Sequence, residues 1–134
     1  MLEHDLPRFA KRYGVPLNFN PHFPINTLGL MRGAIAAERL DCLARYVDVV
    51  YDAVWVAGEN MGEPEVIARV LAAADLDSEA LMTLSQDPEV KAELIKNTEE
   101  AVERGAFGAP TIYVQGEMYF GQDRLDFVEE ALAG

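Results

Sequence analysis

The chain has 134 residues, half of them hydrophobic, which is enough for one domain-sized unit with a real core and argues against a disordered chain. Its formal charge of −12 argues against nucleic acid or an anionic membrane as a partner, because phosphate binding needs clustered Lys and Arg. The single cysteine, Cys42, excludes an internal disulfide and a paired-cysteine redox motif, and it favours a reducing, cytoplasmic location.

The first third of the chain predicts two helices separated by a proline-rich segment. Apolar spacing predicts a first helix that starts around Asp5, since Pro7 is tolerated only near a first turn, and that stops at Gly14. Three prolines between Val15 and Pro24 predict a short extended segment and a loop. The next helix is predicted over residues 28–40, with its inward face made of Leu28, Met31, Ala34 and Ile35.

The middle of the chain also predicts helices. A helix over residues 41–57 carries a wide apolar face made of Leu43, Ala44, Val47, Val50, Tyr51, Val54 and Trp55. Pro64 predicts the first turn of another helix, and Asp77 or Ser78 predicts the cap of a short one. Asp87 before Pro88 predicts the start of a helix that ends at Gly105.

The last thirty residues contain the two strands that the sequence predicts most clearly. Residues 111–114 form a β-branched and aromatic run, residues 115–117 a turn, and residues 118–120 a second short strand. Gly121 ends the pairing, and a last helix is predicted from near Asp123, with Leu125, Val128, Ala131 and Leu132 against the hairpin.

Few side chains outside this hairpin predict chemistry. His22 has no second ligand at metal spacing, and His4 falls in a solvated terminus, so no metal site is predicted. Tyr51 and Trp55 either pack in the core, which their helical spacing favours, or line a substrate cleft.

The hairpin region carries a family resemblance. Residues 107–111, Phe-Gly-Ala-Pro-Thr, followed by residues 116–132, resemble the C-terminus of 2-hydroxychromene-2-carboxylate isomerases, which are related to kappa-class glutathione transferases and bacterial disulfide oxidoreductases. Residues 6–16, running into Asn20 and Pro21, resemble the same family where its inserted helical domain begins.

The resemblance implies an α/β, mostly helical fold: a thioredoxin-like C-terminal β-hairpin and helix, with an inserted helical domain. Residues 1–104 are expected to form the helical domain, with a short extended segment near 15–24, and residues 105–134 the C-terminal ββα part. The family's N-terminal strand–helix–strand unit, with its catalytic serine, has no match in this sequence. We therefore expect that part of the thioredoxin fold to be absent, and we assign no catalytic residue.

The resemblance also implies a glutathione site. Its expected residues are Ala109, Pro110, Phe120, Gly121, Gln122 and Asp123, with Pro110 as a cis-proline. The Ala109 backbone would pair with the cysteinyl part of the tripeptide, as an added strand does. Free N–H groups at a helix start and the Asp123 carboxylate suit the γ-glutamyl end. The alternative is that Asp123 only caps the helix.

Asn20 and Pro21 are the expected substrate-binding residues, because an Asn-Pro at this point lies beside the substrate in the resembling isomerases. The alternative is that Asn20 only shapes a turn before Pro21.

The implied function is glutathione-dependent 2-hydroxychromene-2-carboxylate isomerisation, a ring-opening and cis–trans step in aromatic degradation, incomplete and inactive in this chain alone. Its partners would be glutathione and a small aromatic substrate. The alternatives are a non-catalytic binding or interaction module, a kappa-type glutathione transferase, and a thiol oxidoreductase relative. Since an isolated hairpin is marginal in water, a homo-oligomer formed through the hairpin edge is also expected.

Overall fold

The computed structural model describes residues 2–134, with side chains from residue 3 onward. This described part is mostly helical and carries one small antiparallel sheet, which confirms the predicted fold class. Its elements in chain order are α1 Leu2–Tyr13, α2 Leu28–Arg39, α3 Leu43–Trp55, α4 Pro64–Ala73, α5 Ser78–Ser85, α6 Pro88–Glu103, β1 Thr111–Val114, β2 Glu117–Phe120 and α7 Leu125–Ala133.

The chain divides into two compact units, one up to Leu94 and one from Ile95 to Gly134. This division falls inside α6. The expected domains, 1–104 and 105–134, stay a prediction.

The first unit is built around the contact between α2 and α3. Tyr46 of α3 is buried over Gly33 of α2, and its hydroxyl donates a hydrogen bond of 2.8 Å to the Leu30 carbonyl. Ala36 and Ala37 are fully buried in the same cluster, together with leucines from α4 and α5. Small residues on α2 therefore let α3 and α5 approach it closely.

The predicted inward faces of α2 and α3 are partly wrong. Leu28, Met31, Leu43, Val47 and Tyr51 are exposed. Apolar spacing favours the larger side chains, whereas α2 packs with its glycine and alanine side and α3 buries Tyr46 and Ala53. Ile35 is buried as predicted.

Side chains from loops and neighbouring helices complete several helix ends. The Asp77 carboxylate accepts from the Ala80 N–H at 3.0 Å, and the Asp87 carboxylate accepts from the Glu89 N–H at 2.7 Å, which confirms both predicted caps. Arg45 of α3 donates to the Ala74 carbonyl, just beyond the end of α4. The first helix begins at Leu2 rather than around Asp5, so Pro7 lies inside it.

In the second unit, β1 and β2 pair antiparallel, with Thr111 opposite Phe120 and Val114 opposite Glu117. The helix α7 packs against β1, and Val114 and Val128 are buried. Leu125 and Leu132 are exposed, so the predicted packing of these two residues on the hairpin is wrong. The strand β1 has only four residues, and it leaves Leu125, Phe127 and Leu132 on the nine-residue α7 exposed.

Within residues 2–134, no helix has the length and apolar character that crossing a membrane requires.

We predict that Gly33→Ala destabilises the first unit, because a Cβ at residue 33 would clash with the Tyr46 hydroxyl. The expected loss is about 1–3 kcal/mol of unfolding free energy in urea denaturation, as for overpacking elsewhere. Gly29→Ala on the same helix is the matched control. It meets no atom within 4 Å and should gain about 0.5–1 kcal/mol from helix propensity. Equal effects at both positions would contradict the packing role of Gly33.

We also predict a stability loss at high pH that depends on Tyr46. Burial raises the pKa of Tyr46 to about 12, against about 10 in the unfolded chain. Folding therefore favours the neutral phenol, and this stability is complete below about pH 10 and is lost as the pH rises towards 12. The urea midpoint should therefore fall more between pH 8 and pH 11 in wild type than in Tyr46→Phe. Tyr51→Phe, an exposed change on the same helix, should behave as wild type.

Candidate functional site

The loop between α1 and α2 is fixed to the end of α3 by two asparagines. The last carbonyls of a helix have no hydrogen-bond donor within the helix, and here N–H groups of the loop donate to them. The Asn20 side-chain amide donates to the Val54 carbonyl at 2.8 Å. The Asn18 backbone N–H donates to the Trp55 carbonyl at 2.7 Å, and its side-chain amide donates to the Val56 carbonyl at 2.8 Å.

Asn20 lies at the centre of this arrangement and is 2% exposed. Its amide group also donates to the Glu59 carbonyl at 2.9 Å, and its Oδ1 accepts from the His22 N–H at 2.7 Å. Both amide N–H groups are thus used on backbone carbonyls. Asn20 shapes the turn before the exposed Pro21, and a substrate-binding role for these two residues stays a prediction.

Three aromatic rings surround this turn. The Phe19 ring lies 5.7 Å from that of Phe23 and 6.0 Å from that of Trp55, both nearly perpendicular, and Phe23 lies 5.8 Å from Trp55. These are centroid distances typical of edge-to-face aromatic contacts. Phe19 and Phe23 remain 57% and 51% exposed. We call Phe19, Phe23 and Trp55 the aromatic corner.

The second unit brings together most of the expected glutathione residues. The Ala109–Pro110 peptide bond is cis, as the resemblance implies. The Gly121 N–H donates to the Pro110 carbonyl at 2.9 Å, which extends the hairpin pairing by one bond. Ala109 and Pro110 are exposed and sit at the open end of the hairpin beside Phe120 and Gly121.

Gly108 allows this arrangement. A Cβ at residue 108 would lie 2.7 Å from the Phe120 ring, so a larger residue there would displace that ring. Phe107 also packs on this ring, with its own ring centroid 4.6 Å from that of Phe120. Within residues 2–134, neither the N–H nor the C=O of Ala109 has a hydrogen-bond partner. The Ala109 backbone is therefore available to a ligand.

Asp123 lies in a single 3-10 turn, Gln122–Arg124, that leads into α7. Its carboxylate accepts from the Arg124 guanidinium at 3.0 Å, and neither this turn nor α7 has a side-chain cap. The alternative that Asp123 only caps the helix is therefore not observed. Gly121 precedes it with φ of 102°, a conformation that favours glycine.

The described residues hold no cluster of three or more His, Cys, Asp or Glu side chains suited to a metal ion.

Sequence reasoning missed several residues that shape these two places. The sequence predicts Asn18, Phe19 and Phe23 only as part of a proline-rich loop, and Phe107 and Arg124 only as part of a motif. The pattern Asn18-Phe19-Asn20 places an amide side chain on each side of an aromatic residue, and it is the one sequence feature that indicates a hydrogen-bonded loop here. It does not reveal that both amides reach the end of a helix 34 or more residues away.

The profile of the DsbA-like thioredoxin domain matches residues 1–133. The chain belongs to this family. Among curated relatives, the 2-hydroxychromene-2-carboxylate isomerase of Sphingobium xenophagum is 31% identical over 128 residues, 96% of this chain and 65% of that protein. The enzyme of the same name from Pseudomonas putida is 31% identical over 131 residues, 98% of this chain and 64% of that protein. Human glutathione S-transferase kappa 1 is 28% identical over 149 residues, 98% of this chain and 64% of that protein.

Solved structures agree with these relatives. A 2-hydroxychromene-2-carboxylate isomerase structure aligns with a TM-score of 0.79 at 30% identity, over 98% of this chain and 64% of that one. The cytosolic disulfide reductase DsbM from Pseudomonas aeruginosa aligns with a TM-score of 0.67 at 25% identity, over 98% of this chain and 74% of that one. The resemblance seen in the sequence is thereby confirmed. The chain spans just under two thirds of the length of the curated isomerases it matches.

Proposed function

We propose that this chain binds glutathione and takes part in a 2-hydroxychromene-2-carboxylate isomerase type of reaction, a ring-opening isomerisation in cytoplasmic aromatic degradation. The observation that carries the proposal is the open end of the hairpin, where the free backbone of Ala109 lies beside the turn that contains Asp123. The relatives support the reaction class, since three of them carry the isomerase name at 30–31% identity. A solved relative named as cytosolic supports the location.

The backbone of Ala109 suits the peptide part of glutathione. An exposed N–H and C=O on one residue can pair with the two groups of an extended peptide, as in the addition of one strand to a sheet edge. The hydrogen bond from Gly121 to the Pro110 carbonyl fixes this segment on its other side. The tripeptide's cysteinyl residue would therefore bind a surface that is already ordered, which reduces the entropic cost of binding.

The pair formed by Asp123 and Arg124 suits the γ-glutamyl end, which carries an ammonium and a carboxylate on one carbon. The two side chains are 3.0 Å apart and both are exposed, so they offer a carboxylate and a guanidinium to a zwitterion. Charge-assisted hydrogen bonds of this kind are roughly twice as strong as neutral ones. In this proposal, the chain's own residues bind and orient glutathione, and we assign them no bond-breaking step.

A second candidate is a kappa-type glutathione transferase. Human and Caenorhabditis elegans glutathione S-transferase kappa 1 are each 28% identical to the chain over 98% of its length. Both candidate functions need the same glutathione site, so binding studies test the site that they share. Activity assays separate them: an isomerase would convert a hydroxychromene carboxylate, and a transferase would conjugate glutathione to an electrophile.

We predict that Asp123→Asn weakens glutathione binding about ten-fold or more in isothermal titration calorimetry, because the ligand's ammonium loses a charged acceptor. Asp126→Asn removes the same charge from the exposed first turn of α7 and should bind as wild type. An equal loss in both variants would indicate a general charge effect. Absence of binding by wild type at millimolar glutathione would refute the proposed site.

We also propose that the chain forms a homo-oligomer through the hairpin edge. Within residues 2–134, β1 pairs only with β2, so its other edge is a row of unpaired backbone groups. Light scattering after size exclusion should give a mass above the 14.8 kDa of one chain. Ile112→Lys on β1 should reduce this mass, and Val102→Lys, an exposed apolar position on α6, should not. A monomer at every concentration would contradict the proposal.

A further inference from the structure

The first unit contains a cavity of 380 Å³ between α2, α4 and α5. Ile67 and Leu71 of α4 and Leu81 and Met82 of α5 supply its apolar walls. None of the lining residues is charged, although 25% of the chain is Asp, Glu, Lys or Arg. Small-molecule sites have volumes of roughly 300–1,000 Å³ and are mostly apolar, with a few polar groups. This cavity therefore has the size and the walls of a site for a small neutral molecule.

Glycines line the α2 side of the cavity. Gly29 and Gly33 are about one turn apart on α2, and both border the cavity. A Cβ at residue 29 would meet no atom within 4 Å, so protein atoms leave the space beside it unfilled. Thr83 and Gln86 also line the cavity and are exposed, which places its opening to solvent beside them. A ligand can therefore reach walls that are already formed, which reduces the entropic cost of binding.

The buried hydroxyls of the cavity can accept a further hydrogen bond but cannot donate one. Ser85 is 7% exposed, and its hydroxyl donates to the Met82 carbonyl at 2.7 Å. Tyr46 is 3% exposed, and its hydroxyl donates to the Leu30 carbonyl at 2.8 Å. Each hydroxyl has a single proton, which these bonds use, and lone pairs that can accept. Among the described residues, no group donates to either oxygen.

Ser85 is the better placed of these two acceptors. The Tyr46 hydroxyl lies so close to α2 that a Cβ on Gly33 would clash with it, so α2 covers that oxygen. Ser85 is the last residue of α5 and precedes the exposed Gln86 at the opening. A ligand that donates to the Ser85 oxygen gains a hydrogen bond in an apolar surrounding. A carboxylate has no proton to donate there and would lose its hydration on entering.

We propose that this cavity binds a small neutral molecule with a compact apolar body and one hydroxyl group, an alcohol, whose O–H donates to the Ser85 hydroxyl oxygen. The site shares no residue with the hairpin site proposed for glutathione. It therefore adds a second ligand to the chain and does not rest on the proposed function.

Methionine methyl groups make the cavity directly observable. The chain has five methionines, of which Met82 lines the cavity and Met31 and Met118 do not. In ¹H–¹³C spectra of methyl-labelled methionine, 1-octanol should shift the Met82 signal in a saturable way and leave the other two signals in place. Met31 and Met118 are exposed, so their signals report non-specific apolar binding. Comparable shifts of all three signals would overturn the proposal.

A matched ligand series tests the donated hydrogen bond. 1-Methoxyheptane is an isomer of 1-octanol that has no O–H, and it should bind about five-fold more weakly, in the range of one net hydrogen bond. Octanoate, an anion without a donor, should shift the Met82 signal least. Equal dissociation constants for the alcohol and the ether would refute the contact with Ser85, and tighter binding of octanoate would refute the proposed ligand class.

A serine variant tests the acceptor. Ser85→Ala should raise the dissociation constant of 1-octanol about five-fold and leave that of 1-methoxyheptane unchanged, so that the two ligands bind alike. Ser78→Ala, on the same helix and outside the cavity, is the matched control and should keep the preference for the alcohol. A preference for the alcohol that survives in Ser85→Ala would overturn the role of Ser85.

A filled cavity tests the location without removing a hydrogen bond. Gly29→Leu adds a side chain where protein atoms leave space, so it should fold and abolish the Met82 response to both the alcohol and the ether. The dispersion of the methionine methyl signals checks that the variant is folded, and Ser85→Ala tests the site separately. Glu38→Leu, exposed near the other end of α2, is the control and should bind as wild type. Unchanged binding in folded Gly29→Leu would refute the proposed cavity.

Discussion

The hydrogen bonds that Asn18 and Asn20 make with the end of α3 are the constraint on which the first unit's candidate site depends. A helix end exposes carbonyls that must find donors, and a proline-rich loop lacks regular pairing of its own. Here each supplies what the other lacks. The loop has no regular secondary structure, yet hydrogen bonds from individual side-chain amides fix its backbone. Phe19 and Phe23 lie on either side of the buried Asn20 in the sequence.

The backbone of the second unit is ordered in a different way. Its hairpin is short, with four residues in each strand. The conformation at its open end depends on glycines rather than on hydrogen bonds from side-chain amides. Gly108 lets the Phe120 ring lie against the backbone, and Gly121 takes the positive φ that turns the chain towards Asp123. A side chain at residue 108 would displace the Phe120 ring, and one at residue 121 would meet the Asp123 carboxylate.

The sequence was most informative where one residue type has one physical use. Asp77, Asp87 and Pro88 marked helix starts correctly, because a short carboxylate and a fixed φ suit those positions. The β-branched run at residues 111–114 marked the strand. The inward face of α2 was misjudged because its contacts use Gly33, Ala36 and Ala37, which carry little hydrophobic signal, while the larger Leu28 and Met31 face solvent. The aromatic corner was not foreseen, because the hydrogen bonds that form it join residues far apart in the chain.

The guanidinium of Arg45 couples two helices that local sequence would treat as separate. It extends from α3 to the carbonyl of Ala74 at the end of α4, and it fills a capping role that a nearby residue would ordinarily take. Fraying at that end of α4 therefore breaks the hydrogen bond from Arg45 of α3. Motion of α3 in turn removes the donor from the Ala74 carbonyl. In amide hydrogen exchange, the two helices should lose protection together, as one cooperative unit rather than end by end.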